Sequence, residues 1–344
     1  MSSNNNQKSK ASSGVLTKIM RSEIAILLGV LIALSIVLTF LSPVFFTQHN
    51  IVTTLRQISL VAICGFGLTL VILSGEIDLS IGSAQAIAGL IVVYVLNSTG
   101  SIALGIAAAL SFGIIYGALN GFIVAVGGVN SLIATLGTMA IWRGVAMVTT
   151  GAVSIQSAVP EFMDVGTGFI GPFPNALLIA VALYVILYYV LHMTTFGRYI
   201  YCVGGNKEAA RLAGLPVVRI KMMVYIICGV CAMLSGVLLA SRMASAQPTA
   251  GTGFELVVIA SVILGGISLA GGIGSITGAL LGMMILGVLQ NGLTLLDVSS
   301  FWQDIIRGCL IIMAVFLDGR RKENLAKQLI REQKKHNESE QVKS

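Results

Sequence analysis

Charge is scarce in this sequence. Only 10% of its 344 residues are Asp, Glu, Lys or Arg, whereas soluble globular domains carry about 25%. Aromatic residues are also few, at 7%, while apolar residues reach 56%. This composition excludes a soluble domain and predicts a protein that lies within a lipid bilayer.

Motifs for nucleotide hydrolysis and metal-dependent catalysis are missing as well. The sequence contains no G-x-x-x-x-G-K-[ST], and the segment GGIGSITG lacks the lysine that a phosphate-binding loop needs. It contains no H-E-x-x-H, and Cys228 and Cys231 stand in an apolar run without a second pair of ligands. We therefore predict no catalytic residue, no metal site and no cofactor bound by the chain, which would not be an enzyme. The cysteines are interpreted as packing residues.

What the sequence does contain is a series of apolar runs. A helix needs about 20 mostly apolar residues to cross a bilayer. Ten candidate runs cover residues 24–41, 58–75, 79–96, 102–126, 132–149, 175–192, 222–241, 256–269, 275–295 and 302–317. The eighth is short, and the fourth is long and interrupted by glycine. We predict an all-α polytopic membrane protein with about ten transmembrane helices.

Basic residues mark the two sides of the membrane. The Lys and Arg residues fall in the two tails or in the loop at 193–221, with four exceptions: Arg56, Arg143, Arg242 and Arg307. Because cytoplasmic segments are enriched in Lys and Arg, both termini and this loop are predicted to be cytoplasmic. Residues 150–174 carry acids but no Lys or Arg, as expected for the opposite side.

The same charges divide the chain into three parts. We predict a polar cytoplasmic tail over 1–22, a transmembrane domain over 23–318 and a basic cytoplasmic tail over 319–344. The net charge of +7 is explained by this topology and by attraction to an anionic inner leaflet. The expected partner of that charge is the lipid bilayer, and no binding of nucleic acid is expected.

The loop at 193–221 carries signals for a short helix. Asn206 is a typical N-cap residue, Glu208 falls in the first turn, and Gly214 offers a C-terminal stop. These signals predict a helix over 207–213, which is too short to be stable alone. Two interpretations remain: a docking surface for another protein, or an ordinary cytoplasmic loop whose charges only set topology. The small residues that would make the contact are Ala209, Ala210 and Ala213.

Two stretches of the sequence resemble each other. VILSGEIDLSIGSAQAIAGL (71–90) and VILGGISLAGGIGSITGALLG (262–282) each have an apolar run, a break containing glycine, and a Gly-Ser pair that opens the next run. Transporters are often built from internal repeats with irregular backbone at matching positions. We therefore predict an internal pseudo-repeat, with chance similarity of glycine-rich apolar sequence as the alternative.

Polar residues inside the predicted spans are few, and each is costly in lipid. We assign six of them to a translocation pathway or to structural polar contacts: Asp78, Ser80, Asn120, Arg143, Glu255 and Asn291. For Asp78 and Arg143 the alternative is a structural pair or cap that stabilises broken helices. The sequence assigns no role to the neighbouring acid Glu76.

Several blocks in a fixed order carry a family resemblance. They are GLTLVILSGEIDLSIGS, IATLGTMAIWRGVAMV, GRYIYCVGGNKEAARLAGLPVVRIK, SAQPTAGTGFELVVIASVILGGISLAGGIGS and NGLTLLDVSSFWQDIIRG. Through these blocks the chain resembles the membrane permease subunit of ribose-type ABC sugar importers. The resemblance implies a type II ABC importer-like permease bundle as the transmembrane domain, located in a bacterial inner membrane.

The resemblance also implies partners. They are a cytoplasmic ABC ATPase subunit with tandem nucleotide-binding modules, which would bind the ATP, a periplasmic sugar-binding protein, and a second permease copy, expected to be identical. The segment GRYIYCVGGNKEAARLAG is similar to the cytoplasmic coupling helix of the family, which contacts the ATPase. Position by position, this assigns ATPase coupling to Gly204, Gly205, Asn206, Glu208, Ala209, Ala210 and Gly214.

The function expected from the resemblance is import of a monosaccharide, with ribose first, delivered by the binding protein and driven by ATP hydrolysis in the partner. The binding protein is expected to dock on the external loops at 42–50, 150–174 and 243–254. Other pentoses, hexoses and autoinducer-like furanosides remain alternative substrates. Two other classes of protein also remain open: an ion-coupled secondary sugar transporter, and a non-transporting membrane scaffold or receptor.

Overall fold

The computed structural model describes residues 4–313, 315, 316, 319 and 320, with side chains from residue 23 onward. The described chain is mostly helical. The helices are α1 (Asn4–Leu41), α2 (Gln48–Leu73), α3 (Ile81–Thr99), α4 (Ile102–Gly121), α5 (Ser131–Thr150), α6 (Met163–Thr167), α7 (Asn175–Met193), α8 (Thr195–Gly205), α9 (Lys207–Leu212), α10 (Val217–Met243), α11 (Phe254–Leu264) and α12 (Ile276–Leu295). Residues 300–313 are also helical and are called α13. A π-helical turn, Phe122–Val126, continues α4, and a 3-10 turn covers Pro160–Phe162.

Four two-residue strands complete the described fold. They are β1 (Ile155–Gln156), β2 (Phe169–Ile170), β3 (Phe173–Pro174) and β4 (Ser245–Ala246). β2 pairs with β3, and β1 pairs antiparallel with β4. The second pairing joins the loop between α5 and α7 to the residues that directly follow α10.

Eight helices of the described chain are long and apolar enough to cross a membrane, and they match eight of the ten predicted spans. The fourth predicted span is continuous, with 25 residues. The prediction at 256–269 is wrong in length, because α11 has only 11 residues. Such a helix is about 16 Å long, roughly half of a hydrocarbon core of about 30 Å. Glycines with positive φ, among them Gly266 at 89° and Gly271 at 85°, end this apolar run as helix.

The ends of the chain are described only in part. The first predicted span lies within α1 as Glu23–Leu41. The tenth, predicted at 302–317, begins as α13 at residue 300, and its last residues lie partly outside the described part of the chain. The predicted basic tail over 319–344 also lies outside it, except for residues 319 and 320.

Helix α10 occupies the centre of the molecule and packs against α2, α3 and α4. Glycines permit the closest of these contacts. A Cβ built at Gly117 of α4 would lie 2.6 Å from the Cα of Ile226, and a Cβ at Gly229 would lie 3.0 Å from the Cα of Gly117. Because lipid does not drive helices together, such small residues let backbones approach and pack by direct contact.

The outer helices keep apolar faces exposed. Large apolar side chains of α1, α4, α5 and α7 are exposed, such as Phe40, Ile115, Val148 and Tyr189. On its inner side α1 packs through Leu31 against α12. Exposed apolar faces on helices of this length are those expected of a bundle surrounded by lipid.

Three stretches of irregular backbone lie between helices of the core. The first covers residues 74–80, between α2 and α3, and the second covers residues 265–275, between α11 and α12. The third covers residues 244–253, between α10 and α11, and is called the re-entrant segment. The first two stretches coincide with the predicted breaks of the pseudo-repeat.

The re-entrant segment corrects the prediction of an external loop at 243–254. Ser245, Ala246 and Pro248 are buried. A Cβ built at Gly89 of α3 would lie 3.7 Å from the Cα of Ala246, and one at Gly251 would lie 2.8 Å from the side-chain oxygen of Gln85. The segment therefore turns back into the bundle along α3, where glycines leave room for its backbone.

Candidate functional site

The short helix α9 forms as the sequence predicts. The side chain of Asn206 accepts a hydrogen bond from the amide of Ala209 at 2.9 Å, which caps the N-terminus. At the other end Gly214 has a φ of 79°, and the amide of Leu215 donates to the carbonyl oxygen of Ala210 at 3.1 Å. Local sequence thus fixes both ends of α9.

Most of α9 faces outward. Five of the seven residues assigned to coupling are exposed, Gly204 is half-buried and Ala210 is buried; the exposed ones are Gly205, Asn206, Glu208, Ala209 and Gly214. The largest apolar side chain on the helix, Leu212, is 86% exposed. The described part of the chain leaves this apolar side chain uncovered.

The preceding helix, α8, anchors α9 to the bundle. Ile200 and Val203 are buried in the main hydrophobic core. The hydroxyl of Tyr201 donates to the carbonyl oxygen of Gly274 at 3.1 Å. Burial raises the pKa of Tyr201 to about 12, so this hydroxyl keeps its proton as a donor at neutral pH.

Glycines join the loop to both breaks in the bundle. We call this contact the glycine junction and define it by Gly75, Gly204, Gly205, Gly271 and Gly272. The amide of Gly272 donates to the carbonyl oxygen of Leu73 at 2.9 Å. A Cβ at Gly204 would overlap that same oxygen and lie 2.6 Å from the amide nitrogen of Gly272, and a Cβ at Gly271 would lie 2.6 Å from the Cα of Gly75. The backbone of the loop is therefore in direct contact with the backbone of both breaks, next to α9.

An ion pair lies beside the junction. The amine of Lys221, on the first turns of α10, contacts the carboxylate of Glu76 in the first break. Lys221 is only 4% exposed. Because a buried ammonium needs a partner, the pair explains the acid to which the sequence assigned no role. It ties the 74–80 break to α10.

Three of the predicted pathway residues, Asp78, Ser80 and Asn120, are joined in one hydrogen-bond network. Asp78 is 1% exposed, and its Oδ1 accepts hydrogen bonds from the amide of Ser80 at 2.9 Å and from its hydroxyl at 2.6 Å. The side-chain amide of Asn120 donates to the Ser80 hydroxyl at 2.7 Å. The hydroxyl of Tyr116 donates to the carbonyl oxygen of Ser80 at 2.8 Å. This buried network holds the start of α3 against α4.

Arg143 lies on the other side of the start of α3. Its guanidinium donates to the carbonyl oxygens of Pro248 and Ala250, each at 2.7 Å, and to that of Gly82 at 3.3 Å. The residue is half-buried. A single side chain thereby links α5, α3 and the re-entrant segment.

Glu255 belongs to the same place. It falls in the first turn of α11, and a Cβ built at Gly82 would overlap its Oε2. That oxygen is buried and has no hydrogen-bond partner among the described residues. The carboxylate therefore lies against the first turn of α3, so the starts of α3 and α11 are adjacent within the bundle.

Asn291 lies apart from these groups. Its side-chain amide exchanges two hydrogen bonds with that of Asn50, at 2.8 and 3.1 Å. Both residues are buried, on α12 and α2 respectively. Asn291 is thus a cross-link between two helices, and among the described residues it shares no hydrogen bond with the other five predicted residues.

Several residues of the site were missed from the sequence. Tyr116, Lys221 and Gln85 bond partners that are 36, 145 and 150 residues away along the chain. No local pattern predicts such pairings. For Tyr116 and Gln85, a polar group within an apolar run was the available signal.

Comparison with known proteins gives a consistent result. Residues 50–315 match the protein family described as branched-chain amino acid transport system / permease component. The chain is 44% identical over 310 residues to the ribose import permease protein RbsC of Escherichia coli K12, a match that covers 89% of this chain and 96% of that one. It is 40% identical to the protein of the same name in Bacillus subtilis, with coverage of 85% and 91%.

An arabinose relative is similar too. The L-arabinose ABC transporter permease protein AraH of Azospirillum brasilense is 37% identical over 313 residues, which is 91% of each chain. No solved structure matches the chain significantly.

Proposed function

The chain belongs to the family of ribose-type ABC importer permeases, and we propose that it is the membrane subunit through which a monosaccharide, ribose first, enters the cell. As a member of this family it is a multi-pass membrane protein and a transport component. The observation that carries the proposal is its identity of 44% over 96% of the length of a ribose import permease.

The proposed coupling surface is the exposed side of α9. A helix of six residues gains little stability on its own. Here it is capped at both ends and joined to the bundle through α8 and the glycine junction, with Leu212 left exposed. These features favour a surface that receives a rigid partner, which we propose is the ATPase subunit. ATP would be bound by that partner, and this chain would bind no cofactor.

The proposed translocation pathway passes the starts of α3 and α11. Asp78, Ser80 and Asn120 form one polar group there, and Arg143 and Glu255 form a second one beside it. Buried polar groups inside a membrane bundle usually mark a substrate path. Asn291 is proposed to be structural instead, because its amide is satisfied by Asn50.

The remaining partners are proposed from the same family membership. A periplasmic binding protein would deliver the sugar to the external surface at 150–174, and a second, identical permease copy would complete the pathway. Both termini are proposed to be cytoplasmic, on the side of α9. The names of the relatives concern ribose and L-arabinose, so L-arabinose is the first alternative substrate.

One observation keeps a second class of function in view. Two acids, Asp78 and Glu255, lie at the starts of helices that begin inside the bundle. Ion-coupled transporters place ion and substrate sites at such broken helices. That class predicts sugar uptake that follows an ion gradient and needs no ATPase, whereas a non-transporting scaffold predicts no uptake at all.

The experiment that tests the proposal is reconstitution in proteoliposomes. The permease is assembled with its candidate ATPase and binding protein, and uptake of radiolabelled ribose is measured with and without ATP and with an imposed proton or sodium gradient. We expect uptake only with all three components and ATP, with competition by unlabelled sugars giving the order of preference. Uptake by the permease alone under an ion gradient would contradict the ABC mechanism.

A further inference from the structure

Besides the pairing of β4 with β1, one side chain holds the re-entrant segment in place. Backbone groups outside helices lack regular partners, and inside a membrane bundle they must find others. Arg143 supplies them for two carbonyl groups of the segment, those of Pro248 and Ala250. Its third contact, to the carbonyl oxygen of Gly82, fixes the guanidinium to α3. The planar guanidinium, with donors in a fixed fork, suits this divided role.

Two buried side-chain oxygens that lack a hydrogen-bond partner among the described residues lie next to the re-entrant segment. Gln85 is 2% exposed, and its side-chain amide nitrogen donates to Ser235 at 2.8 Å. Its Oε1 has no hydrogen-bond partner among the described residues and would lie 2.8 Å from a Cβ at Gly251. Oε2 of Glu255 is unpartnered in the same way and faces Gly82. Buried acceptors are normally satisfied, so these oxygens are available to hydrogen-bond donors from outside the chain.

The site lies well away from the ends of the helices that carry it. Arg143 is roughly 18 Å along α5, a helix of about 30 Å, and Ser235 is about 27 Å along α10, a helix of about 40 Å. Neither residue is near a helix end. A solute that crosses the bundle beside α3 would therefore have to pass this level.

We propose that the re-entrant segment is a movable barrier over a sugar-contact site, and that Arg143 positions it. In the present state the carbonyl oxygens of Pro248 and Ala250 occupy the donors of the guanidinium. Sugar hydroxyl oxygens are acceptors of the same kind, and sugar hydroxyl hydrogens are the donors that Gln85 and Glu255 lack. When the segment withdraws, the side chains of Arg143, Gln85 and Glu255 face the space that it leaves. The inference rests on the function proposed above and adds which part moves and what the sugar meets.

The test follows the accessibility of one buried position. Cys202 and Cys309, which are exposed, are replaced by serine, while the buried Cys64, Cys228 and Cys231 are kept. Ser245→Cys then places a small reporter in the segment, where the native side chain is 3% exposed. The full transporter is reconstituted, and reaction with a membrane-impermeant thiol reagent is timed. We expect slow reaction at rest and a several-fold faster reaction during ATP turnover with sugar-loaded binding protein.

Variants of Arg143 separate positioning from general stability. Arg143→Gln releases two carbonyl groups of the segment and is expected to raise the resting reaction rate several-fold while sugar uptake falls. Arg143→Lys keeps the charge but loses the fork, so an intermediate rate is expected. Arg307→Gln is the matched control, because Arg307 is partly exposed and pairs only with the exposed Asp304 among the described residues. It should leave both the reaction rate and sugar uptake unchanged.

An equally slow reaction at rest, during turnover and in Arg143→Gln would overturn the proposal. If Arg143→Gln fails to assemble, the comparison of Arg143→Lys with its parent decides the matter in the same way. The resting comparison needs neither sugar nor ATP. A failure of the proposed function, seen as absent uptake by the parent, is therefore distinguished from a failure of the barrier.

Discussion

At the scale of single residues, the contacts that define the site are made mostly with backbone. Arg143 binds three carbonyl groups, Tyr116 binds the carbonyl of Ser80, and Gly204 lies against the chain at Leu73. The ion pair of Glu76 and Lys221 and the bond from Asn120 to the Ser80 hydroxyl differ, because in each of them two side chains bind each other inside the fold. Contacts to backbone therefore constrain both the path of the chain and the residues that can occupy these positions.

Gly204 and Gly205 give a matched pair for testing the junction. Gly204→Ala is expected to destabilise the protein by about 1–3 kcal/mol or more, because the added methyl group meets backbone that cannot turn away. Gly205→Ala should leave stability unchanged, since nothing lies within 4 Å of its added Cβ. Thermal unfolding of the purified permease in detergent measures both. Equal melting temperatures for the two variants would contradict the packing described at the junction.

Local chemistry in the sequence predicted residues of α9 but not the buried pairings. Asn206 and Gly214 act within a few residues, so their roles as caps can be read directly from the chain. Glu76 could not be assigned, because its partner lies 145 residues away. The contact of Arg143 with Pro248 and Ala250 depends on an irregular segment whose path no periodic pattern specifies.

At the scale of elements, two helices next to the site, α8 and α11, are those that the sequence predicted least well. The other membrane-spanning helices were predicted from the length of their apolar runs. Helix α11 ends before its apolar run does, because Gly266 and several glycines after it adopt positive φ. The amphipathic helix α8 was not predicted, since its apolar residues are too few for a span. Runs of glycine after an apolar stretch were the available signal for the break.

The cap of α9 yields a prediction at this scale. Asn206→Ala removes the bond to the amide of Ala209 and should weaken the helix by about 1 kcal/mol. We expect lower sugar-stimulated ATPase activity in the reconstituted complex, with unchanged melting temperature of the bundle, because α9 is mostly exposed. Asn206→Asp retains an accepting oxygen at this position and should restore activity. If the alanine variant stimulates the ATPase as fully as the parent, α9 is not the coupling surface.

At the scale of the whole molecule, the short length of α11 does not change the expected arrangement of the chain. The re-entrant segment begins beside β1 and ends at α11, and α11 leads to the break that meets Gly204. Together the segment and α11 connect the two sides, as one predicted span would. The bundle and its broken helices agree with the predicted fold class, while a repeat relating the two breaks stays a prediction.

Thiol labelling of intact cells tests this arrangement. Native Cys202 is exposed on α8 and should react with an impermeant reagent only after the membrane is opened, in a chain that carries Cys309→Ser. Glu161→Cys, in a chain that also carries Cys202→Ser, should react from outside, because residue 161 is exposed in the opposite loop. Reaction of Cys202 in sealed cells would place the loop at 193–221 on the wrong side for an ATPase.

The pairing of β1 with β4 gives the loop at 150–174, the proposed external surface, a mechanical connection to the interior of the bundle. Ile155 and Gln156 are bonded to Ala246 and Ser245, and Pro248, two residues beyond Ala246, is bound to Arg143. A pull on this loop is therefore transmitted along a few bonds of main chain to the contact with Arg143 inside the bundle. An antibody fragment or a cyclic peptide that grips residues 150–174 could block passage without resembling a sugar or entering the bundle.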